Sequence, residues 1–276
     1  MSKIIAIAVP KGGVGKTTSV INIASCFAIA EQKTLIIDFD PAGSCLISLG
    51  LKESEIKGNI FNVFSFTKRF ADVIHKTELE NLDFIPSYIQ SFQNEQRLEK
   101  LSSNDILIRN IIQSETKRYD FTFIDCPPYL TGLTYNALGL ADSVLIPVKA
   151  DKYSIAALDK LLNHILYVRQ KYNPKLQIEG IFLTMFEQRT TVANEVLLFL
   201  QKNYPDYLLT TTIPKNITIS EATFKGRPAI LHKAISQGSQ AYLSLANEIL
   251  GRNENQSNQI LSLNRNNGDT EKSALF

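Results

Sequence analysis

Between residues 11 and 18 the chain reads Lys11-Gly12-Gly13-Val14-Gly15-Lys16-Thr17-Thr18, a set of residue types suited to holding a polyphosphate. Glycines let backbone amides turn inward onto phosphate oxygens with no Cβ in the way, and a helix starting just beyond adds the positive end of its dipole. In a loop of this kind Lys16 reaches the β- and γ-phosphates, and the Thr17 hydroxyl ligates Mg²⁺. The bland alternative is a glycine-rich turn that binds nothing. It needs strand, loop, Lys-Thr pair and helix to coincide by accident, and it is set aside on that ground.

Two carboxylates follow where such a ligand would need them. One predicted strand ends Ile36-Ile37-Asp38-Phe39-Asp40-Pro41, and another ends Phe121-Thr122-Phe123-Ile124-Asp125-Cys126-Pro127-Pro128. Acids at the carboxyl ends of strands face the ligand crevice of an open α/β sheet. Asp40 is placed to orient an attacking water or to hold a metal-bound one, and Asp125 to reach Mg²⁺, usually through water. For Asp40 the competing reading is a turn opener, because Asp-Pro commonly starts a turn.

The elements that must position these groups show as an alternation of β-branched runs with helical periodicity. Strands are predicted over residues 4–9, 34–39, 83–86, 121–125, 143–148, 178–184 and 208–213. Helices are predicted over 17–30, 105–117, 154–171, 192–203 and 234–250. Several strand runs are apolar almost throughout, as strands buried on both faces are. The fold class is therefore α/β in three layers, a mostly parallel twisted sheet with helices on both faces. Residues 51–101 mix charged and aromatic side chains and read as short helices and loops. A single domain is expected over 1–251, followed by a disordered polar tail over 252–276, which is rich in Asn, Ser and Gln.

Composition narrows the class of function. Lys and Arg total 29 against 27 Asp and Glu, so a nucleic-acid contact would have to come from a local patch. Three cysteines, Cys26, Cys45 and Cys126, form no C-x-x-C pair. They argue against a disulfide framework or a structural zinc site and for a reducing compartment. The first apolar run is too short for a signal-peptide core, and no stretch approaches the ~20 residues of a membrane span. A cytoplasmic protein is expected. His75, His164 and His232 are scattered and make no Ser-His-Asp grouping.

The loop departs from the ordinary pattern G-x-x-x-x-G-K-S/T, with Pro10 where the first Gly would stand and Lys11 added beside the glycines. With Asp40 in an Asp-x-Asp-Pro segment and Asp125 in an Ile-Asp-x-Pro-Pro segment, the chain resembles the deviant Walker A family of ParA/Soj partitioning ATPases, MinD and nitrogenase iron-protein relatives. The runs Asp142 to Val148, Gly180 to Phe186, Thr212 to Asn216 and Ile219 to Ala222 are similar to the ParA/Soj pattern in particular. So is the terminal stretch Gly238 to Leu250, and the resemblance covers roughly residues 3–250.

That resemblance implies a P-loop NTPase fold, ATP and Mg²⁺ as ligands, and a weak, partner-stimulated ATPase that forms a homodimer around nucleotide. It implies Lys11 as a signature lysine that reaches the partner's nucleotide, and Asp40 as the carboxylate linked to hydrolysis. A cation supplied in trans stabilises phosphate charge only once two subunits have closed, which couples dimerisation to nucleotide state. Met185, Pro214 and Asn216 are implied as adenine contacts, with simple core filling the alternative for Met185. Non-specific DNA binding is implied at Arg189, with Lys215, Lys225, Arg227 and Lys233 extending the patch by phosphate neutralisation. Ala42, Ser44 and Thr218 stand where the family commonly has Gln, Asn and Arg.

The expected function is a DNA-partitioning switch, nucleoid-associated in the ATP-bound dimer and released when a ParB-like partner stimulates hydrolysis. A MinD or flagellar type of positioning ATPase, acting on membrane or protein cargo, is the alternative. It needs a basic amphipathic helix at the C-terminus, whereas Ile260, Leu261 and Leu263 lie among asparagines with only Arg265 near. No membrane contact is expected. An iron-protein role needs paired cysteines, which are not evident. A P-loop ligase acting on a small molecule needs a polar substrate pocket, which sequence does not display.

Overall fold

The computed structural model describes residues 2–87, 98, 106–130 and 132–272. Its strands are β1 (Lys3–Ile7), β2 (Thr34–Asp38), β3 (His75–Lys76), β4 (Leu82–Ile85), β5 (Phe121–Asp125), β6 (Ser143–Lys149) and β7 (Gln177–Thr184). They form one sheet in the order β3-β4-β2-β5-β1-β6-β7. Every neighbouring pair is parallel except β3 with β4. The expected three-layer α/β fold is what forms.

Its helices are α1 (Lys16–Ile29), α2 (Ser44–Ser48), α3 (Ile60–Phe64), α4 (Ile106–Thr116), α5 (Gly132–Leu140), α6 (Lys152–Lys171), α7 (Thr191–Asn203), α8 (Ile217–Phe224), α9 (Ala229–His232) and α10 (Gln237–Lys272). Side chains of a strand alternate between faces, and each face of this sheet is buried. Ile5, Ile7, Ile36, Phe121, Phe123 and Leu145 pack with Val20, Ile23 and Phe27 of α1 and with Tyr242, Leu245 and Ile249 of α10. Ile4, Ala6, Leu35, Ile37, Ile124, Val144 and Ile146 pack on the other side with α4 to α7.

The predicted strand over 208–213 does not join the sheet as a strand. Only isolated bridges form, Ile181 with Leu208 and Phe186 with Pro214. Leu209 N and Ile213 N donate to the Ile181 and Leu183 carbonyls at 2.8 Å, but between them the amides of Thr210 and Thr211 donate to Glu248 Oε1 and Oε2 of α10 at 2.8 and 2.9 Å. The antiparallel β3 is an addition that sequence reading placed among loops. The short helices and loops expected over 88–97 and 99–101, and the expected helix start at 105, lie outside the described residues.

Helix α10 passes Gly251 and runs through Lys272. One interior glycine costs a helix only about 1 kcal/mol, and contacts beyond it offset that. Arg252 Nη2 donates to the Leu208 carbonyl at 3.2 Å, and Asn253 Nδ2 donates to Glu179 Oε1 at 2.7 Å.

Phe27 ties α1 to the sheet by meeting Phe121 edge-on at 4.7 Å and Phe123 at 5.1 Å between ring centroids. All of its surface is buried. Phe27→Ala should therefore cost about 3–5 kcal/mol of stability, read as a lower urea midpoint at an unchanged slope. A loss under about 1 kcal/mol would show that α1 is held by other contacts.

Candidate functional site

Sheet register brings the chemistry together. Ile7, Asp125 and Asp38 are cross-strand neighbours at the carboxyl ends of β1, β5 and β2. Ile36 and Phe123, two residues earlier on their strands, face α1. By alternation Asp38 and Asp125 face it as well. The segment after β1 is the glycine loop, and α1 starts directly from it.

Two glycines in that loop have backbones that L side chains resist: φ is +68° at Gly13 and +86° at Gly15. Gly15 is the N-cap of α1, and its carbonyl accepts from Ser19 N at 2.9 Å. No atom lies within 4 Å of where Cβ atoms of Gly12 or Gly13 would stand, so the loop borders open space. Lys16 is only 7% exposed, and its Nζ donates to the Lys11 carbonyl at 2.9 Å. Burial holds its pKa below the ordinary lysine value, partly opposed by the Asp125 carboxylate. A desolvated ammonium beside open space is suited to meet phosphate oxygens.

Thr17 Oγ1 donates to Asp125 Oδ2 at 2.6 Å, the contact expected of a shared metal site. Cys45 Sγ reaches the same oxygen at 3.4 Å. Asp125 Oδ1 is fully buried and has no hydrogen-bond partner among the described residues, which fits a group waiting for a divalent cation. Asp38 is fully buried too, accepting from Asp40 N at 2.9 Å and Cys45 N at 3.3 Å. Desolvation, then the Asp125 charge, drives its carboxyl pKa well above the usual range.

Asp40 is placed differently. It sits in the turn beyond β2, where Oδ1 accepts from Ala42 N at 3.1 Å and its carbonyl accepts from Gly43 N at 2.9 Å. The turn-forming role is thus present, and Asp38 rather than Asp40 stands with Asp125 among the groups able to hold a metal.

Lys11 is held within its own subunit. Its Nζ donates to Asp151 Oδ1 at 2.5 Å and to Ser154 Oγ at 2.9 Å. Asp151 is the N-cap of α6 and also accepts from Ser154 N at 3.0 Å. Although burial acts the other way, the Lys11 ammonium and these donors hold its carboxyl below the usual range.

Met185, Pro214 and Asn216 line one cavity of about 440 Å³ with Gly15, Thr18, Thr184 and Tyr242. It adjoins the helix end of the phosphate loop. Met185 is 37% exposed with φ +50°, so it rims this cavity and does not fill the core. Thr184 Oγ1 donates to the Val14 carbonyl at 2.8 Å and ties the cavity wall to the loop.

The basic residues form a thinner patch than a residue count suggests. Arg189 and Lys215 line a common open cavity, but Lys215 pairs with Glu187 at 3.4 Å. Arg227 is engaged bidentately by Glu78. Arg189, Lys225 and Lys233 are exposed and carry no ion pair among the described residues.

Sequence reading missed Asp38, Cys45 and Asp151. For Asp38 a signal was available: in an Asp-x-Asp pair ending a strand, the first acid is the one still inside the sheet. No local pattern marks the others.

Burial pushes the Asp125 carboxyl up to about 6, against opposing hydrogen bonds from Thr17 and Cys45. A carboxyl whose native pKa exceeds its unfolded value binds its proton more tightly when folded. The ligand-free protein should therefore lose stability as pH rises from about 4 through 6. Asp125→Asn removes that buried charge while keeping the shape. It should raise the ligand-free thermal midpoint at about pH 7.5 and flatten its pH dependence. A midpoint below the parent's at that pH would contradict the buried-charge account.

Comparison with known proteins agrees with this geometry. A family profile described as an AAA domain matches residues 2–178. The sporulation initiation inhibitor protein Soj of Bacillus subtilis is 38% identical over 249 residues, covering 90% of this chain and 98% of that one. The chromosome partitioning protein ParA of Myxococcus xanthus is 36% identical over 252 residues, covering 91% and 89%. Among solved structures, cobyrinic acid a,c-diamide synthase from Mycobacterium smegmatis with bound ATP analogue and magnesium is 25% identical, with a TM-score of 0.75 over 91% of this chain and 95% of that one. With its glycine loop, added Lys11 and strand-end acids in register, the chain belongs to the Soj/ParA family of chromosome-partitioning proteins.

Proposed function

We propose that this protein is an ATP- and Mg²⁺-dependent dimeric switch that binds DNA non-specifically when its subunits close, and lets go when a ParB-like partner stimulates hydrolysis. The observation that carries the nucleotide reading is the Thr17–Asp125 contact at 2.6 Å beneath an open glycine loop. Loop amides and Lys16 hold the phosphates, Thr17 and Asp125 hold the metal, and the cavity rimmed by Met185, Pro214 and Asn216 takes the adenine. Bound there, Mg²⁺ neutralises phosphate charge. Asp40, in the turn beyond β2, orients the attacking water.

Dimerisation enters through Lys11. To reach a partner's phosphates its ammonium must leave Asp151, so closing exchanges one ion pair for another. The protein acts in the cytoplasm on the nucleoid. No helix among the described residues is long and apolar enough to cross a membrane.

Two outcomes check the switch. The Lys11–Asp151 pair is partly solvent-exposed, with side-chain exposures of 21% and 27%. Such a pair is worth up to about 1 kcal/mol. Asp151→Asn keeps an acceptor for the Ser154 amide but removes the charge. Sedimentation of the ATP-bound protein should then show dimers tightened about two- to fivefold, and an unchanged monomer–dimer equilibrium would mean Lys11 is not restrained by Asp151. For DNA, Arg189→Glu should lower ATP-dependent co-sedimentation with random-sequence duplex at least about tenfold at low salt, leaving nucleotide binding intact. Retention equal to the parent's across a salt series would remove Arg189 from the DNA surface.

A further inference from the structure

Cys45 occupies an unusual place for a thiol. It lies in α2, with none of its surface exposed, and its Sγ is 3.4 Å from Asp125 Oδ2. Its backbone amide donates to Asp38 Oδ2 at 3.3 Å. One ligand atom from each of Asp38, Cys45 and Asp125 can be chosen so that all lie within 4.8 Å of one another.

Two donors on a tetrahedral zinc-class ion, one sulfur and one oxygen, stand about 3.6 Å apart at ordinary bond lengths. The Cys45–Asp125 separation already has that dimension. Independently, Asp125 Oδ1 is buried without a hydrogen-bond partner among the described residues. Both carboxyl groups of the set are buried, as is the Lys16 ammonium near Asp125.

Hardness decides which cation such a set prefers. Oxygen donors alone suit Mg²⁺, whereas a thiolate in the set selects zinc-class ions strongly over Mg²⁺. We propose that Asp38, Cys45 and Asp125 form a thiolate-containing site for a zinc-class divalent cation in the nucleotide-free protein. As the sulfur–metal bond forms, the Cys45 S–H bond breaks and its proton leaves to solvent. No electron is transferred. The site shares Asp125 with the one proposed for Mg²⁺, so a thiophilic ion and Mg²⁺–nucleotide exclude one another.

Cobalt(II) added to the full-length, nucleotide-free protein under reducing conditions is the direct probe, because a cobalt–thiolate bond gives a charge-transfer band that oxygen ligands do not. The band should saturate at about one equivalent, vanish on adding Zn²⁺ and survive a large excess of Mg²⁺. It should be lost in Cys45→Ser and retained in Cys126→Ala and Cys26→Ala. Asp38→Asn, which leaves the thiol in place, should weaken cobalt binding at least about tenfold. Circular dichroism confirms that each variant is folded before its spectrum is read. Absence of the band in the folded parent, its persistence in Cys45→Ser, or its removal by Mg²⁺ would each overturn the proposal. Because no nucleotide is present, these outcomes are independent of whether the glycine loop binds ATP.

Discussion

The constraint that organises this molecule is the burial of two carboxylates side by side at the carboxyl edge of a parallel sheet. Asp38 and Asp125 are cross-strand neighbours with no exposed surface. Ionised carboxylates in such a place destabilise the fold unless something positive or hydrogen-bonding answers them. The protein supplies part of that answer. Amides of Asp40 and Cys45 bond Asp38, the Thr17 hydroxyl bonds Asp125, and Lys16 is buried nearby. What remains unmet is above all Asp125 Oδ1, which has no hydrogen-bond partner among the described residues and which a bound cation would answer. The site is therefore held at the expense of the ligand-free state, and ligand binding stabilises the whole domain by mass action.

The same electrostatics extend outward through Lys11. Its carbonyl accepts from Lys16 while its side chain pairs with Asp151 at the start of α6. One residue thus touches both the phosphate loop and an element on the opposite helical layer. A change in where Lys16 points alters the backbone that carries Lys11. The N-cap of α6 is left intact when Lys11 departs, because Ser154 N still donates to Asp151. The exchange is inexpensive, which suits a contact that must break and reform.

How much of this was legible in sequence follows from the range of each interaction. The glycine loop is local. Left-handed backbone at Gly13 and Gly15, an exposed turn and a helix start all fall within a few residues, so pattern alone located them. Asp125 was legible because an apolar strand announces its own end. Asp38 was passed over since register with Asp125, set by a partner strand far along the chain, decides which acid of Asp-x-Asp is enclosed. The failed strand over 208–213 has the same origin: Glu248 takes two amides from 37 and 38 residues away, and no β-propensity predicts that. Cys45 looked like an isolated thiol because its neighbour Asp125 lies 80 residues on.

Long-range pairing also reshapes the DNA argument. The five cations proposed for DNA contact lie between residues 189 and 233, but Glu187 and Glu78 pair with Lys215 and Arg227 in the fold. Arg189, Lys225 and Lys233 remain. In the proposed DNA contact, counterion release gives a salt slope of about 0.9 per neutralised phosphate, so a lone subunit offering about three contacts would hold DNA weakly at physiological salt. A closed pair would present about six, and affinity would rise steeply with that number because both sets act on one polyanion. A patch too sparse to work singly is what a switch requires. In the proposed switch, DNA binding would depend on dimerisation, and dimerisation on whether nucleotide draws Lys11 away from Asp151.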